Sequence, residues 1–125
     1  MPAATVRVLL ADDDPAFLES LRRLIDEQPL LGVAGTALDG LQVLELADQV
    51  EPDAVVIDLH MPLLDGVTAV ARLRRDHPSL CVIVLTADAE RRLHQAATEA
   101  GADAVFLKED FVEVLMDRLR SVKKG

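Results

Sequence analysis

The segment that decides the fold is Ala54–Gly66, which reads AVVIDLHMPLLDG. Its first four residues are apolar and mostly β-branched, without the polar alternation of a strand that faces water on one side. Such a run is typical of a parallel strand that is covered on both faces. An acid, Asp58, follows it directly. The segment therefore predicts a buried parallel strand that places a carboxylate at the edge of its sheet.

The rest of the chain repeats this alternation of short apolar runs and longer amphipathic segments. The other runs are Val6–Leu10, Val33–Leu38, Cys81–Leu85 and Ala104–Leu107. After each run, apolar residues recur at intervals of three and four, which is the spacing of one face of a helix. The helical stripes are Phe17, Leu18, Leu21, Leu24 and Ile25; Leu41, Val43, Leu44 and Ala47; Val67, Val70, Ala71 and Leu73; Leu93, Ala96, Ala97 and Ala100; and Phe111, Val112, Leu115, Leu119 and Val122. The chain is therefore predicted to be an α/β protein with five successive βα units.

The order of the strands follows from their composition and from the handedness of crossovers. The second and fifth runs have the most diluted apolar content, which suits the edges of a sheet. Right-handed crossovers with helices on both faces then require one reversal of winding. The order 2-1-3-4-5 satisfies this requirement, and it is the flavodoxin-like, doubly wound (βα)5 arrangement. In such sheets ligands bind beyond the carboxyl ends of the strands at the reversal, here between strands one and three.

Length and composition limit the classes of function. With 125 residues, the chain is predicted to form one domain over 1–125, either as a stand-alone unit or as part of a longer protein. A net charge of −9 argues against binding of nucleic acid or an anionic membrane through a basic face. Three Phe, with neither Tyr nor Trp, offer little for stacking on a flavin or a nucleobase. With neither a run of ~20 apolar residues nor a signal-peptide pattern, we expect a cytoplasmic protein.

Polar residues that suit chemistry follow four of the five predicted strands. Asp12 and Asp13 follow the first, Asp58 the third, Thr86 ends the fourth and Lys108 follows the fifth. Because the carboxyl ends of parallel strands meet at one edge, we expect these side chains to converge. Three carboxylates at ~4 Å repel one another by ~1–4 kcal/mol per pair, depending on the local dielectric. A hard divalent cation relieves that repulsion, and an open oxygen site suits Mg²⁺.

These residues and their spacing resemble the receiver domain of bacterial two-component response regulators over the whole chain. The matching residues are Asp12-Asp13, the string Asp58–Gly66, Thr86-Ala87 and Phe106-Leu107-Lys108. The strand-one phrase Val8–Asp13 and the Leu-Lys-acid ending of strand five are most similar to receivers of LuxR-type DNA-binding regulators.

The resemblance implies a function, and it implies a role for each polar residue at the carboxyl ends of the strands. Asp58 would accept a phosphoryl group from a histidine kinase. Asp13 and Asp58, with the backbone carbonyl of His60, would hold Mg²⁺, and Asp12 would contribute mainly through water. In the same scheme the pairs Met61-Pro62 and Asp65-Gly66 shape the loop.

Two further groups would act on the phosphoryl group itself. The Lys108 ammonium would neutralise charge that develops during transfer, and the Thr86 hydroxyl would donate to a phosphoryl oxygen. The domain would then be a phosphoacceptor that assists its own phosphorylation and dephosphorylation rather than an enzyme. It would switch a surface formed by the fourth helix, fifth strand and fifth helix, to which a partner or a second copy binds. At the fifth helix, Val114 and Met116 either complete a dimer patch or widen the core face.

Two departures from the usual receiver pattern affect the switch. Many receivers have a proline after the lysine in a cis peptide, whereas Glu109 follows Lys108 here, so we expect a trans bond. Many also have an aromatic residue three positions before the lysine. That position is Val105, and strand alternation places the adjacent Phe106 on the opposite face.

Two other functions remain as alternatives. Metal-dependent phosphohydrolases on similar sheets also use an aspartate nucleophile, but they resemble Asp-x-Asp-x-Thr, and here Leu59-His60 follow Asp58. The other alternative is a receiver that serves only as a protein-interaction module and is not phosphorylated. Labelling with a phosphoryl donor distinguishes them.

Overall fold

The five βα units are present in the computed structural model, which describes residues 6–110 and 112–122. The elements are β1 (Val6–Ala11), α1 (Pro15–Asp26), β2 (Leu31–Ala37), α2 (Gly40–Val50), β3 (Ala54–Ile57), α3 (Gly66–Asp76), β4 (Cys81–Thr86), α4 (Arg91–Ala100), β5 (Ala104–Leu107), a short 3-10 helix (Lys108–Asp110) and α5 (Val112–Arg120). Phe111 and the side chain of Val112, which the sequence assigns to the stripe of the fifth helix, lie outside the described residues.

The strands form one parallel sheet in the order β2-β1-β3-β4-β5, as the sequence predicts. Ala11 pairs with Ile57, and Ile57 pairs with Val84, so β1, β3 and β4 end close together at the same edge. The reversal of winding lies between β1 and β3, because β2 is on one side of β1 and β3 is on the other. This register determines which side chains meet beyond the strand ends.

Helices cover both faces of the sheet, and each face has its own apolar core. Buried residues of α1 and α5 pack on one face, and those of α2, α3 and α4 pack on the other. Every residue of β3 is buried, whereas β5 is half-buried along its length, as expected for an edge strand. The largest fully buried side chains include Leu9, Leu10, Ile25, Ile57, Leu73, Ile83, Leu85, Leu115 and Leu119.

The second strand differs most from the sequence-based prediction. It begins at Leu31, two residues earlier than predicted, because Leu31 pairs with Val6 at the start of β1. Gly32 weakens the apolar signal there. The pairing also shifts register between Val8 and Leu9, and the strand ends at Ala37, so that Leu38 is exposed.

The first turns of α1 and α3 are capped by side chains, whereas that of α4 is not. The carboxylate of Asp14 accepts hydrogen bonds from the amides of Ala16 and Phe17, and that of Asp65 accepts one from Thr68. In α4, all of which the structure describes, the N-cap residue Glu90 makes no such side-chain bond. Thus α4 begins without the stabilisation that the other two helices have.

Candidate functional site

The backbone of the sheet places two acids side by side at its edge. The amide of Asp12 donates to the carbonyl of Ala37 at 3.0 Å, and the amide of Asp58 donates to the carbonyl of Ala11 at 3.0 Å. The hydrogen-bond ladder therefore continues one residue past β1 and β3. Asp12 and Asp58 are only 3% and 6% exposed.

A third acid completes a cluster with donor atoms suited to a metal ion. Asp12, Asp13 and Asp58 each offer a carboxylate oxygen, and these oxygens lie within 4.8 Å of one another. Asp13 is exposed while the other two are buried, so the cluster is open to solvent on one side. Mg²⁺ prefers hard oxygen ligands and keeps several waters, so the residues present fit this ion.

The Lys108 ammonium bridges the two buried acids. Its Nζ lies 2.6 Å from Oδ2 of Asp12 and 3.2 Å from Oδ2 of Asp58, and it sits 4.3 Å from the centre of the Phe17 ring. Burial by itself would lower the pKa of Lys108, but the bonds to the two carboxylates outweigh it and raise the pKa. The amine therefore stays charged at neutral pH.

The carboxyl of Asp12 is held in a position that disfavours its charge. Burial raises the pKa of Asp12, and the nearby Asp58 charge adds to this effect. The hydrogen bonds from Lys108 and from the amide of Asp14 oppose the shift without cancelling it. The cluster is thus under electrostatic strain that a further cation at the site would relieve.

Thr86 lies at the end of β4 with its side chain fully buried. Its hydroxyl oxygen accepts a hydrogen bond from the amide of Asp88 at 3.1 Å. That bond uses a lone pair of the oxygen and not its proton, so the hydroxyl can donate to another acceptor.

His60 follows Asp58 in the loop after β3. Its amide lies 3.4 Å from Oδ1 of Asp58, and its exposed imidazole pairs through Nε2 with Oδ2 of Asp88 at 2.8 Å. The imidazole is therefore directed to the loop after β4. The metal contact implied for His60 concerns its backbone carbonyl and stays a prediction.

The loop after β3 is closely packed around Gly66. A Cβ at this position would lie 2.4 Å from Cα of Leu59 and 2.5 Å from the carbonyl oxygen of Asp58. The amide of Gly66 also donates to the carbonyl of Leu59 at 2.9 Å. These contacts agree with a structural role for Asp65-Gly66, since they hold the loop against the backbone that carries Asp58.

Comparison with known proteins identifies the family. Residues 8–120 match the response regulator receiver domain family. The chain belongs to this family. The nitrate/nitrite response regulator protein NarP of Escherichia coli is 33% identical over 126 residues, which cover 100% of this chain and 59% of that protein. The response regulator MprA of Mycobacterium sp. (strain KMS) is 38% identical over 117 residues, covering 94% of this receiver and 50% of MprA.

Solved receiver structures have the same fold. The signal receiver domain of the response regulator NarL from Mycobacterium tuberculosis aligns with a TM-score of 0.87 and 30% identity, covering 94% of this receiver and 98% of that chain. The isolated REC domain of RcsB from Salmonella enterica serovar Typhimurium was solved with phosphomimetic BeF₃⁻. It aligns with a TM-score of 0.87 and 26% identity, covering 97% of this receiver and 90% of that chain.

Membership of the family settles the general class of function. Response regulators are phosphorylated by histidine kinases, and their receivers are not enzymes in the ordinary sense. This receiver spans between 50% and 59% of the length of NarP and MprA. Among residues 6–110 and 112–122, no helix has the length and apolar character needed to cross a bilayer.

The two departures from the usual receiver pattern are both present in the structure. The Lys108–Glu109 peptide is trans. Val105 packs on the face that is covered by α2, α3 and α4, whereas Phe106 packs on the face of α1 and α5. The receiver therefore has an aliphatic side chain on the sheet face covered by α2, α3 and α4, and its neighbouring aromatic side chain lies on the opposite face.

Two contributors to the site were not predicted from sequence. The sequence places Phe17 only in the core stripe of α1, yet its ring lies beneath the Lys108 ammonium. The sequence predicts no role for Asp88, yet it contacts both Thr86 and His60. Its place two residues after Thr86 was the only signal in the sequence, and spacing alone does not show where a loop carboxylate points.

Proposed function

We propose that this receiver accepts one phosphoryl group from a histidine kinase on the carboxylate of Asp58. The observation that carries the proposal is the position of Asp58, buried at a strand end between Lys108 and two other acids. A carboxylate oxygen of Asp58 attacks phosphorus and forms an O–P bond while the P–N bond of the phosphohistidine breaks. The bonding electrons return to the imidazole nitrogen, and the product is an acyl phosphate.

The residues around Asp58 have separate tasks in this step. Lys108 is charged and within bonding distance of Asp58, so it can neutralise charge on the equatorial oxygens of the transferred group. The proton of the Thr86 hydroxyl is available to donate to one of these oxygens.

Asp13, Asp58 and the carbonyl of His60 are the groups that would hold Mg²⁺, which supplies further neutralisation of phosphoryl charge when bound. Asp12 would act mainly through a water molecule. The position of its Oδ2, which already bonds to Lys108 at 2.6 Å, supports this indirect role.

The direct test is incubation with acetyl phosphate and Mg²⁺, followed by intact mass measurement. One phosphoryl group per chain is expected, and omission of Mg²⁺ should prevent most of the labelling. An interaction-only module would stay unlabelled under both conditions, which would contradict the proposal.

Replacing Asp13 with Asn tests the acidic cluster as a metal site. The variant removes one ligand and one like charge, so Mg²⁺ affinity should fall by at least about tenfold. Without Mg²⁺ the same variant should melt at a slightly higher temperature. Magnesium titration and thermal melts provide both readouts.

Asp14→Asn is the matched control for this experiment. Asp14 is the adjacent exposed acid, and Asn serves equally well as an N-cap residue for α1. The control should keep its Mg²⁺ affinity. Equal Mg²⁺ affinity of Asp13→Asn and wild type would show that Asp13 is not a ligand of the ion.

We further propose that phosphorylation changes the surface formed by α4, β5 and α5. In α4, all of which the structure describes, Ala97 is the only fully buried residue, and Leu93 and Ala100 are only partly buried. An alanine contributes far less than the ~1.5–3 kcal/mol of a buried leucine, so α4 is weakly anchored to the sheet. A helix of this kind, next to Thr86, can shift at low cost in free energy.

The candidate dimer patch on α5 is smaller than the two residues, Val114 and Met116, that the sequence offers for it. Met116 is buried at 3% exposure, so it belongs to the core, while Val114 is 48% exposed. Of these two residues, both of which the structure describes, Val114 alone is therefore available for a second copy of the chain. A partner protein or the rest of a longer regulator is the other candidate for this surface.

Hydrogen exchange with and without beryllofluoride and Mg²⁺ tests the choice of surface, with sedimentation as a parallel measure of dimerisation. We expect the change in protection between residues 87 and 122. A change confined to α1 and α2 would show that the receiver signals through another face.

The names of relatives suggest a transcriptional output. We infer that residues 1–125 act as one receiver unit whose state is passed to a DNA-binding partner or domain. The net charge of −9 supports an indirect role, because this segment has no excess of cations for phosphate contacts.

A further inference from the structure

The Lys108 ammonium has an aromatic neighbour in addition to its two carboxylates. Its Nζ lies 2.6 Å from Oδ2 of Asp12, 3.2 Å from Oδ2 of Asp58 and 4.3 Å from the centre of the Phe17 ring. An ammonium has three donor hydrogens, so two acids and one ring give it as many partners as donors. The Lys108 side chain is only 18% exposed. A cation over the face of an aromatic ring is attracted by the π electrons, most strongly where water is excluded.

The ring is held by the same loop that carries Asp12. The amide of Asp14 donates to Oδ1 of Asp12 at 2.9 Å, and the carboxylate of Asp14 accepts from the amide of Phe17 at 3.3 Å. Phe17 is half-buried and packs against the apolar core beneath α1 and α5. The ring and the Asp12 carboxylate are therefore fixed in one hydrogen-bonded loop, and both contact the lysine.

We propose that Phe17 is a positioning residue for phosphoryl transfer, which keeps the Lys108 ammonium at the site while Asp58 reacts. This inference rests on the proposed function, in which a carboxylate oxygen of Asp58 becomes bonded to phosphorus. Of these three neighbours of the ammonium, Asp58 alone changes in that step, and Asp12 and the ring stay in place. The lysine can then follow the charge from the carboxylate to the phosphoryl oxygens without leaving the site.

An aromatic ring suits this task better than a third acid would. A further carboxylate beside Lys108 would repel the incoming phosphoryl group and would compete with that group for the ammonium. An aliphatic side chain would fill the space but would offer the cation no electrostatic attraction. The ring face holds the ammonium without a net charge. Because it has no single acceptor atom, the ammonium can shift over the ring as its other partners change.

Phe17→Leu in the intact receiver tests this role, since leucine keeps the apolar packing and removes the π face. Labelling by acetyl phosphate and Mg²⁺ should be slowed about fivefold. Phe17→Tyr is the conservative variant and should label within about twofold of wild type, because tyrosine keeps the π face. Phe106→Leu is the matched control, since Phe106 is also half-buried against the core beneath α1 and α5. It should label at nearly the wild-type rate.

Graded fluorination separates the electronic role of the ring from its packing. Phenylalanines with one, two and three ring fluorines, incorporated at position 17, lose π density stepwise while they keep nearly the same shape. The rate of labelling should fall with each fluorine towards that of Phe17→Leu. A rate that is independent of fluorination would show that the ring only fills space, and it would overturn the proposal.

A double-mutant cycle shows whether the effect of the ring passes through the lysine. When combined with Lys108→Met, which removes the cation, Phe17→Leu should cause no further slowing. A loss of about fivefold that persists in the Lys108→Met background would show that Phe17 acts on another part of the site, and it would also overturn the proposal.

The ligand-free receiver provides a readout that does not depend on phosphorylation. NMR relaxation of Nζ reports how well the Lys108 ammonium is ordered. The order should fall in Phe17→Leu and be retained in Phe17→Tyr and Phe106→Leu. Equal order in Phe17→Leu and wild type would overturn the positioning role. If wild type took up no phosphoryl group, the proposed function would be wrong, and the relaxation data would still show whether Phe17 holds the ammonium.

Discussion

Replacement of Asp58 by Asn should abolish labelling by acetyl phosphate and Mg²⁺, leaving the mass of the unmodified chain. The reason is that an amide is not a nucleophile towards phosphorus under these conditions. We expect that the neighbouring acids do not substitute for Asp58. Asp12 bonds to Lys108 through Oδ2 and to the amide of Asp14 through Oδ1, and Asp13 is exposed.

The Asp58→Asn variant should also remain folded, which makes the loss of label interpretable. It removes one of the clustered charges while keeping a side chain of the same shape. Asp14→Asn is again a suitable control and should label as wild type does. Phosphorylation of the Asp58→Asn variant would show that Asp58 is not the sole phosphoacceptor.

Replacement of Lys108 by Met should give the largest change in stability. The variant keeps an apolar stem over Phe17 but leaves two buried carboxylates without their cation. Loss of one partner from a buried ion pair costs about 3 kcal/mol in the free energy of unfolding. Urea denaturation in the absence of Mg²⁺ at neutral pH measures this loss.

The effect of Lys108→Met should depend on pH in a definite direction. The pKa of Asp12 in the folded chain is already above its usual value, and loss of the Lys108 hydrogen bond raises it further. A group with a raised folded pKa favours the folded state at low pH, and this contribution disappears as pH rises through that pKa. The difference from wild type should therefore shrink as the pH is lowered from neutrality and Asp12 binds a proton.

Arg22→Met is the matched control for this measurement. Arg22 also lies between two carboxylates, those of Glu19 and Asp26, but its side chain is 45% exposed. Exposed ion pairs contribute little because water and salt screen them, so the control should change stability little. If Lys108→Met were no less stable than Arg22→Met at neutral pH, the bridging role of Lys108 would be wrong.

The sheet could be predicted because its signals are local and strong. The continuous apolar run of β3 predicts a strand that is buried on both faces. The order 2-1-3-4-5 follows from the right-handedness of the crossovers once the two least apolar strands are placed at the edges of the sheet. The proximity of Asp12 and Asp58 could be predicted as well, since the carboxyl ends of parallel strands lie on the same side of the sheet. The start of β2 was missed because it is fixed by pairing with Val6 and not by its own residues.

The contacts of side chains beyond the strand ends could not be predicted in the same way. The position of Lys108 between Asp12 and Asp58 follows from the family pattern, but the ring of Phe17 beneath it depends on how α1 packs. The bonds of Asp88 depend on the path of one loop. The sequence places Met116 at the margin of the α5 stripe, and the packing of the helix shows that it is buried.

Chemical identification of the phosphorylated side chain tests the role of Asp58 most directly. After treatment with acetyl phosphate and Mg²⁺, reduction with borohydride converts an aspartyl phosphate to homoserine, and peptide sequencing by mass spectrometry locates it. We expect homoserine at position 58 and at no other aspartate. Homoserine at position 12 or 13, or none in a chain that carries a phosphoryl group, would contradict this expectation.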